Sequence, residues 1–221
     1  MKKLTSLLFS AVVAVLFLCQ ASPAGATTTL TNPFGNDPTN IYLGLISPWG
    51  TYVVYSRISD GACNFYLVGD VNGLSDNLVM NGGGGNDFVA TLYNAGAVFC
   101  GYTMTQSNYR GHNVTTNGLG GNDTIWVGGV GNDFVYGGAG NDWVRTLSPL
   151  GLISGDDGND TLISDAMSGG DRTYGGNGND CMEDTSRAAS VFDCGAGYDT
   201  VISGYYPPNK KNCERIATSC N

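Results

Sequence analysis

Residues 128–136 read GGVGNDFVY and residues 137–145 read GGAGNDWVR, so one nine-residue pattern occurs twice without interruption. In every copy of this pattern the sixth residue is aspartate and the eighth is apolar. Further clean copies lie at 82–90 (GGGGNDFVA) and 175–183 (GGNGNDCME), and near copies at 118–126 (GLGGNDTIW), 155–163 (GDDGNDTLI) and 194–202 (CGAGYDTVI). This recurrence predicts a repeat architecture in which each unit is stable only when it stacks on its neighbours.

The nine-residue spacing of the aspartates also holds across stretches that lack a recognisable copy of the motif. Asp87 and Asp123 are 36 residues apart, which is four steps of nine and puts Thr105 at an intermediate aspartate position. We expect the apolar eighth positions to build a continuous core, in the series Val89, Val98, Ile125, Val135, Val144, Ile153, Leu162, Met182, Phe192 and Val201.

The composition also favours repeated tight turns. Glycine accounts for 34 of the 221 residues, and because glycine loses the most conformational freedom on folding, this content excludes a helical bundle. The acidic residues comprise 17 Asp and only 2 Glu. Aspartate is favoured in turns and in rigid metal cages, so these turns are expected to hold a cation.

The N-terminus has the pattern of a secretory signal peptide. Met1-Lys2-Lys3 precedes an apolar run at 7–18, and Ala24-Gly25-Ala26 forms a small-x-small cleavage site, which predicts a signal peptide at 1–26 cleaved after Ala26. The mature chain then has a net charge of −11, with 8 basic and 19 acidic residues, which excludes a phosphate-rich partner such as a nucleic acid. No other apolar run reaches membrane length, so no membrane span is expected.

The repeat resembles the hemolysin-type calcium-binding (RTX) repeat, whose consensus is GGxGxDxUx with U a large apolar residue, and the resemblance covers about 82–202. It implies an all-β, right-handed parallel β-roll in which six residues form a turn and three a short strand. Two repeats make one coil, so each turn stacks on the turn two repeats later. The implied calcium ligands are the carboxylates of Asp87, Asp123, Asp133, Asp142, Asp160, Asp171, Asp180 and Asp199 and the carbonyls of Gly118, Gly128, Gly137, Gly155 and Gly175.

The stacking itself calls for a cation. Parallel strands lie about 4.8 Å apart, so stacked carboxylates repel one another unless a cation lies between them. Calcium takes oxygen ligands, whereas a softer metal would need His or Cys. The repeat region has one histidine, His112, and no cysteine at the turn of a repeat apart from Cys194. One side of the roll should carry Asp123, Asp142, Asp160, Asp180 and Asp199, and the other Asp133, Gly151, Asp171 and Ser190. Calcium is therefore expected to load one side, in roughly four gaps.

Two flanking segments differ from the repeats. Residues 27–81 alternate polar and apolar residues around Thr51 to Tyr55 and are predicted to form an N-terminal β cap. The repeats then occupy 82–202, and 203–221 are predicted to form a C-terminal cap that covers the last coil.

Six cysteines remain after cleavage, and an even number in a secreted chain indicates disulfides, although six allow 15 pairings. The resemblance extends to the closing segment of secreted bacterial members of the family and implies a Cys194–Cys213 bond. We further predict Cys63–Cys100 on the N-terminal side and, by elimination, Cys181–Cys220.

No catalytic motif accompanies the repeats, since the chain has neither HExxH nor GxSxG and His112 has no triad partner by motif. We therefore expect a non-enzymatic, secreted calcium-binding protein with a structural or adhesive extracellular role. The alternative is a carbohydrate-active enzyme, a polysaccharide lyase or glycosidase, on a β-solenoid. Exposed aromatic residues such as Trp126, Tyr136 and Tyr174 either stack on sugar rings or pack between coils, so the candidate partners besides calcium are an extracellular polysaccharide and a cell surface.

Overall fold

The structure is a computed structural model that describes residues 27–46, 49–69, 77–91, 97–105, 112–128, 131–147, 151–165, 171–185, 190–203 and 209–219. The predicted signal peptide at 1–26 and Cys220 lie outside the described residues. Within these ranges the secondary structure is all β, with no helix and hence none that could span a membrane.

Short strands follow one another along the whole described chain. In order they are β1 (Thr27–Thr31), β2 (Thr39–Ile46), β3 (Gly50–Arg57), β4 (Cys63–Gly69), β5 (Asn77–Gly83), β6 (Phe88–Thr91), β7 (Ala97–Phe99), β8 (Tyr102–Met104), β9 (Val114–Gly120), β10 (Thr124–Val127), β11 (Asp133–Ala139), β12 (Trp143–Thr146), β13 (Gly151–Asp157), β14 (Thr161–Ser164), β15 (Arg172–Asn177), β16 (Cys181–Asp184), β17 (Val191–Ala196), β18 (Thr200–Ser203), β19 (Asn209–Lys211) and β20 (Arg215–Ala217).

The strands form two long sheets. Sheet I has the order β1-β5-β9-β11-β13-β15-β17-β19, and all its neighbours are parallel. Sheet II has the order β20-β18-β16-β14-β12-β10-β6-β2-β3-β4 and is parallel from β20 to β2. From β9 onward the chain alternates strictly between the two sheets, so each coil consists of one strand from each. The predicted fold, an all-β parallel solenoid, is confirmed.

The two edges of the solenoid differ in the length of their connections. The tight edge is the one where a sheet I strand passes to the sheet II strand of the same coil through a short turn such as Gly140-Asn141-Asp142. The wide edge is the one where the chain returns to sheet I through longer connections, such as 165–171. A coil of 18 to 20 residues therefore fits two nine-residue repeats, with its extra residues at the wide edge.

The core is the stack of eighth-position side chains between the sheets. Nine of the ten predicted members are fully buried, among them Leu162 and Met182 in the middle of sheet II. The exception is Val98, which is 69% exposed, because it lies in β7 and pairs antiparallel with β8 outside the two long sheets. The prediction that Val98 continues the core series is therefore wrong.

The same excursion corrects the spacing between the first two aspartates. We expected a missing aspartate at Thr105 between Asp87 and Asp123, but β6 pairs directly with β10 and places Phe88 opposite Thr124. Asp87 and Asp123 thus belong to adjacent coils. The additional residues between them include the β7–β8 hairpin. The total spacing of 36 residues is still a multiple of nine, which made a missing repeat look plausible in the sequence.

The N-terminal segment continues both sheets and adds an antiparallel extension. β1 joins sheet I beside β5 and β2 joins sheet II beside β6, while β3 and β4 pair antiparallel beyond β2. The predicted β segment at Thr51 to Tyr55 lies within β3. A disulfide between Cys63 and Cys100, with Cα atoms 6.3 Å apart, ties this extension to the β7–β8 excursion as predicted.

The C-terminal segment closes the other end. β19 and β20 pair with the last strands of sheets I and II, and the predicted Cys194–Cys213 disulfide joins β17 to this segment with a Cα separation of 5.2 Å. Cys181 is also disulfide-bonded, as predicted, and its expected partner Cys220 lies outside the described residues.

The tight turns depend on glycine at the fourth place of the repeat. Gly140 has a φ of +137°, and a Cβ there would lie under 3.0 Å from the carbonyl oxygen of Gly121 in the preceding coil. Gly61 also has a positive φ, +70°, but a Cβ there would have nothing within 4 Å. Substitution of Gly61 therefore measures the cost of backbone strain alone. Substitution of Gly140 measures the cost of backbone strain together with a clash against the preceding coil.

We expect Gly140→Ala to lower the free energy of unfolding by about 3 kcal/mol, because alanine adopts neither this φ nor this close approach at low cost. Gly61→Ala should cost only about 1 kcal/mol, since its backbone is left-handed but its surroundings are open. Urea unfolding followed by circular dichroism measures both. Equal losses in the two variants would contradict the close stacking of the tight turns.

Candidate metal centre along the tight edge

One aspartate from each coil lies at the tight edge. These side chains, hereafter the aspartate row, are no more than 3% exposed, although each sits in a turn. The members are Asp87, Asp123, Asp142, Asp160, Asp180 and Asp199. The sequence predicted the last five on one side and Asp87 in the same phase beyond a gap, whereas the structure brings all six together on one edge.

Each carboxylate in the row is joined to the preceding coil by its Oδ1 atom. The backbone N–H of Asp123 donates to Oδ1 of Asp142 at 2.7 Å, and the N–H of Asp142 donates to Oδ1 of Asp160 at 2.8 Å. The same bond recurs between all neighbours in the row, at 2.7 to 2.9 Å. At the two ends, Thr39 N–H donates to Asp87, and Asp199 N–H donates to Glu214.

The asparagines that precede these aspartates form a second row with the opposite direction. Here the side-chain oxygen accepts from the following coil: Asn141 N–H donates to Oδ1 of Asn122, and Asn159 N–H to Oδ1 of Asn141, at 2.7 and 2.8 Å. The members of this asparagine row are Asn86, Asn122, Asn141, Asn159 and Asn179. We did not predict this row, although the recurrent Asn-Asp pair in the repeat was its visible signal.

The second oxygen of each carboxylate has no such bond. In all six members of the aspartate row, Oδ2 is buried and has no hydrogen-bond partner among the described residues. A Cβ built on Gly82 would lie 2.7 Å from Oδ2 of Asp87 and 2.6 Å from the carbonyl oxygen of Gly118. Glycine is therefore required at Gly82, because a side chain there would displace the carboxylate of Asp87.

This arrangement recurs in the next coils. A Cβ on Gly155 would meet both Oδ2 of Asp160 and, at 2.6 Å, the carbonyl oxygen of Gly175. The same pair of oxygens, Oδ2 of the coil's own aspartate and the first-position carbonyl of the next coil, faces Gly82, Gly118, Gly137, Gly155 and Gly175. In the last of these the carbonyl belongs to Cys194. Four of the five predicted glycine ligands, Gly118, Gly137, Gly155 and Gly175, thus lie beside the aspartate row.

Burial makes these carboxylates weak acids. Loss of solvation raises the pKa of Asp123 and of Asp160 to about 7, and that of Asp87 and of Asp180 to about 6, against the lowering effect of the backbone N–H bonds. The pKa values of Asp142 and Asp199 are raised for the same reason. Neighbouring members add a smaller upward contribution, since a second negative charge nearby disfavours ionisation.

The donor set fits a hard cation. Carboxylate and carbonyl oxygens are the ligands that calcium prefers, and the row contains neither histidine nor a free thiol, because Cys194 is disulfide-bonded. No group of three or more His, Cys, Asp or Glu side chains converges on one point in the described part of the chain. Any ion at the tight edge would therefore take carboxylate oxygens from the row and complete its shell with backbone carbonyls.

The wide edge has a different and less regular chemistry. Asp171 uses both oxygens, since Oδ1 accepts the N–H of Gly151 at 2.9 Å and Oδ2 accepts the Ser164 hydroxyl at 2.5 Å. Asp133 is buried, and burial followed by the nearby charge of Asp171 raises its pKa to about 7. Asp184, which we did not predict, is also buried here and raises the pKa of Asp171.

Gly128, the fifth predicted glycine ligand, lies at the wide edge and apart from the aspartate row. Its carbonyl oxygen accepts the Thr91 hydroxyl at 2.7 Å, and its N–H donates to the same hydroxyl oxygen. The carbonyl is thus already bonded within the protein. The difference follows from where the repeat lies in the coil. The repeat at 128–136 begins directly after the sheet II strand β10, so its first residues lie at the wide edge.

Comparison with known proteins finds no relative: no family model matches the chain, and no curated protein or solved structure matches it. The resemblance to the hemolysin-type repeat therefore depends on the repeat pattern alone.

The raised pKa values predict that the metal-free protein becomes less stable as the pH rises. Unfolded aspartates titrate near 3.9, so between about pH 4 and pH 7 the folded chain holds more protons than the unfolded chain, and stability falls across that window. Each titrating carboxyl contributes up to about 1.4 kcal/mol per pH unit. In chelator, the β signal in circular dichroism and any urea midpoint should be higher at pH 5 than at pH 7.5, where the metal-free chain is expected to be largely disordered. A variant with Asp123→Asn and Asp160→Asn should show a flatter dependence, and a midpoint that rises with pH would contradict the prediction.

Proposed function

We propose that this chain is a secreted calcium-binding repeat protein of the hemolysin type, in which calcium bound along the tight edge stabilises the solenoid and the solenoid has a structural or adhesive extracellular role. The observation that carries the proposal is the aspartate row, whose buried Oδ2 atoms have no hydrogen-bond partner within the described part of the chain. The role is proposed as structural or adhesive rather than catalytic because the buried carboxylates and glycines of the row are accounted for by metal binding.

Six buried carboxylates need compensation. An ionised carboxylate that leaves water without a partner costs several kcal/mol, so each must take up a proton or lie beside a cation. At pH 7 and above, protons fill the row incompletely, because even burial raises the pKa of Asp123 and of Asp160 only to about 7. A divalent cation between neighbouring coils neutralises two carboxylates at once.

Calcium suits this site better than magnesium. Calcium accepts an irregular shell of six to eight oxygens at about 2.3–2.6 Å, whereas magnesium demands near-octahedral geometry and retains several waters. The tight edge offers a repeating array of backbone carbonyls and one carboxylate per coil, which fits the less demanding ion. The members of the aspartate row, with the carbonyls of Gly118, Gly137, Gly155 and Gly175, are the proposed ligands, and Asp133 and Asp171 at the wide edge contribute at most an incomplete site.

An extracellular location is supported by the disulfides. The bonds Cys63–Cys100 and Cys194–Cys213 and the bonded Cys181 are typical of an oxidising compartment. Together with the signal peptide predicted at 1–26, they support secretion to an environment where calcium is abundant.

Calcium should raise the thermal midpoint of the protein, because an ion that binds only the folded state stabilises it by mass action. At a free calcium concentration 100 times the dissociation constant, each independent site contributes about 2.7 kcal/mol. We expect chelator to leave 118–202 largely disordered at neutral pH and millimolar calcium to restore the β signal in circular dichroism. A spectrum and melting point that do not respond to calcium or chelator would refute the proposed function.

Two matched substitutions separate the tight edge from the wide edge. Asp160→Asn retains an acceptor for the Asp142 N–H but removes the charge from the middle of the row, so it should weaken the two adjacent sites and raise the calcium concentration needed for folding about tenfold. Asp133→Asn changes an equally buried aspartate at the wide edge and should affect one incomplete site at most. Isothermal titration of both variants measures stoichiometry and affinity. Equal losses would show that calcium does not prefer the tight edge.

A further inference from the structure

A trough crosses the outer face of sheet I beside the tight edge, near the C-terminal end of the solenoid. Its volume is about 580 Å³, within the range of small-molecule sites. We call its lining residues Gly176, Gly195 and Ala196 the floor, because none of them has a side chain larger than a methyl group. Tyr174, which is 37% exposed, and Asn177 line the trough beside this floor, and both belong to β15.

The backbone of the repeat explains the bare floor. The second place of the repeat has a left-handed φ, +115° at Gly176 and +98° at Gly195, so glycine is preferred there. Asp156 occupies the same column one coil earlier, with a φ of +73°. This aspartate therefore closes the N-terminal end of the trough in a conformation that costs aspartate about 1 kcal/mol.

The polar side chains around the trough are held in place by one another. The Ser154 hydroxyl donates to Asp156 at 2.5 Å, and the Asn177 amide donates to Asp157 at 2.7 Å. At the C-terminal end, Asp193 accepts from Lys211 and from Asn212, at 2.9 and 2.7 Å. Carboxylates and amides that are held by hydrogen bonds thus line the same trough as Tyr174.

The charge of the trough is negative. Asp156, Asp157 and Asp193 contribute three carboxylates, of which one is paired with Lys211. The bond with Lys211 lowers the pKa of Asp193, so this group is ionised at neutral pH. A phosphorylated, sulfated or uronic ligand would meet uncompensated like charge here, whereas hydroxyl and amine groups would meet acceptors.

We propose that this trough binds a non-anionic oligosaccharide. Tyr174 would stack on the apolar face of one sugar ring, while the carboxylates and Asn177 would hydrogen-bond to its hydroxyls. The lining residues come from four successive coils at a spacing of about 4.8 Å, which leaves room for about two sugar rings. This inference goes beyond the proposed calcium binding and does not depend on it, because no trough side chain belongs to the aspartate row.

The test uses the full mature chain in excess calcium, so that a failure of saccharide binding can be distinguished from a failure of calcium binding. Three tetrasaccharide probes of matched length are titrated by isothermal calorimetry: a neutral β-1,4-glucan, the corresponding glucosamine oligomer and an oligogalacturonate. We expect the neutral probe, the cationic probe or both to bind and the anionic probe to bind at least about tenfold more weakly. Absence of binding by both non-anionic probes, or equal binding of the anionic one, would overturn the proposal.

Substitutions then locate the site on the protein. Tyr174→Ala should weaken binding about tenfold, and Tyr174→Phe should restore most of it because the stacking ring remains. The control is Trp126→Ala, which removes an aromatic ring of similar exposure, 45%, from sheet II and leaves the trough unchanged. Unaltered melting points confirm that the variants are folded. A Tyr174→Ala variant that binds as well as the parent, or a Trp126→Ala variant that loses binding equally, would place the site elsewhere.

Discussion

The hydrogen bond from a backbone N–H to the carboxylate of the next coil's aspartate is the interaction on which the rest of the solenoid depends. It holds consecutive tight turns in register, so that the eighth-position side chains of sheets I and II meet in a single core. The same bond draws Oδ1 inward and leaves Oδ2 buried beside the first glycine of the repeat. One contact therefore both fixes the register of the turns and buries a carboxylate. A fold that uses this contact must also neutralise the buried carboxylate.

The asparagine row adds hydrogen bonds between coils that run in the opposite direction. Each regular turn receives an aspartate oxygen from the coil after it and an asparagine oxygen from the coil before it, as the turn at 140–142 does from Asp160 and Asn122. Short coils that bond to both neighbours gain little stability alone and much from the stack. At the ends of the row, Thr39 supplies a donor and Glu214 an acceptor in place of a further repeat. The terminal segments therefore continue the turn chemistry as well as cover the core.

The nine-residue phase was sufficient to predict the core of the repeat region and the composition of the aspartate row, because both follow from the same backbone period. It did not predict the core residues of the N-terminal strands, such as Ile41 and Tyr55. It failed at Val98, where a hairpin excursion of nearly compatible length has an apolar residue in phase but outside the sheets. It also missed Asp184, since the wide-edge connections vary in length and the phase carries no information about which side chains they bring together. The direction of the asparagine bonds could not be predicted either, because it depends on which way each turn faces its neighbour.

The two edges and the outer faces of such a solenoid are under different constraints. At the tight edge, glycine is required wherever a Cβ would meet a carboxylate or a carbonyl of the adjacent coil, as at Gly140, so little can vary there. The outer face of sheet I has no such restriction, and residues such as Tyr174 and Arg172 point outward between buried neighbours. Where the two regions meet, the obligatory glycines leave bare backbone beside freely variable side chains. The trough lies at this boundary, so its glycines are fixed by the stacked turns while a side chain beside them, such as that of Tyr174, can change without disturbing the core.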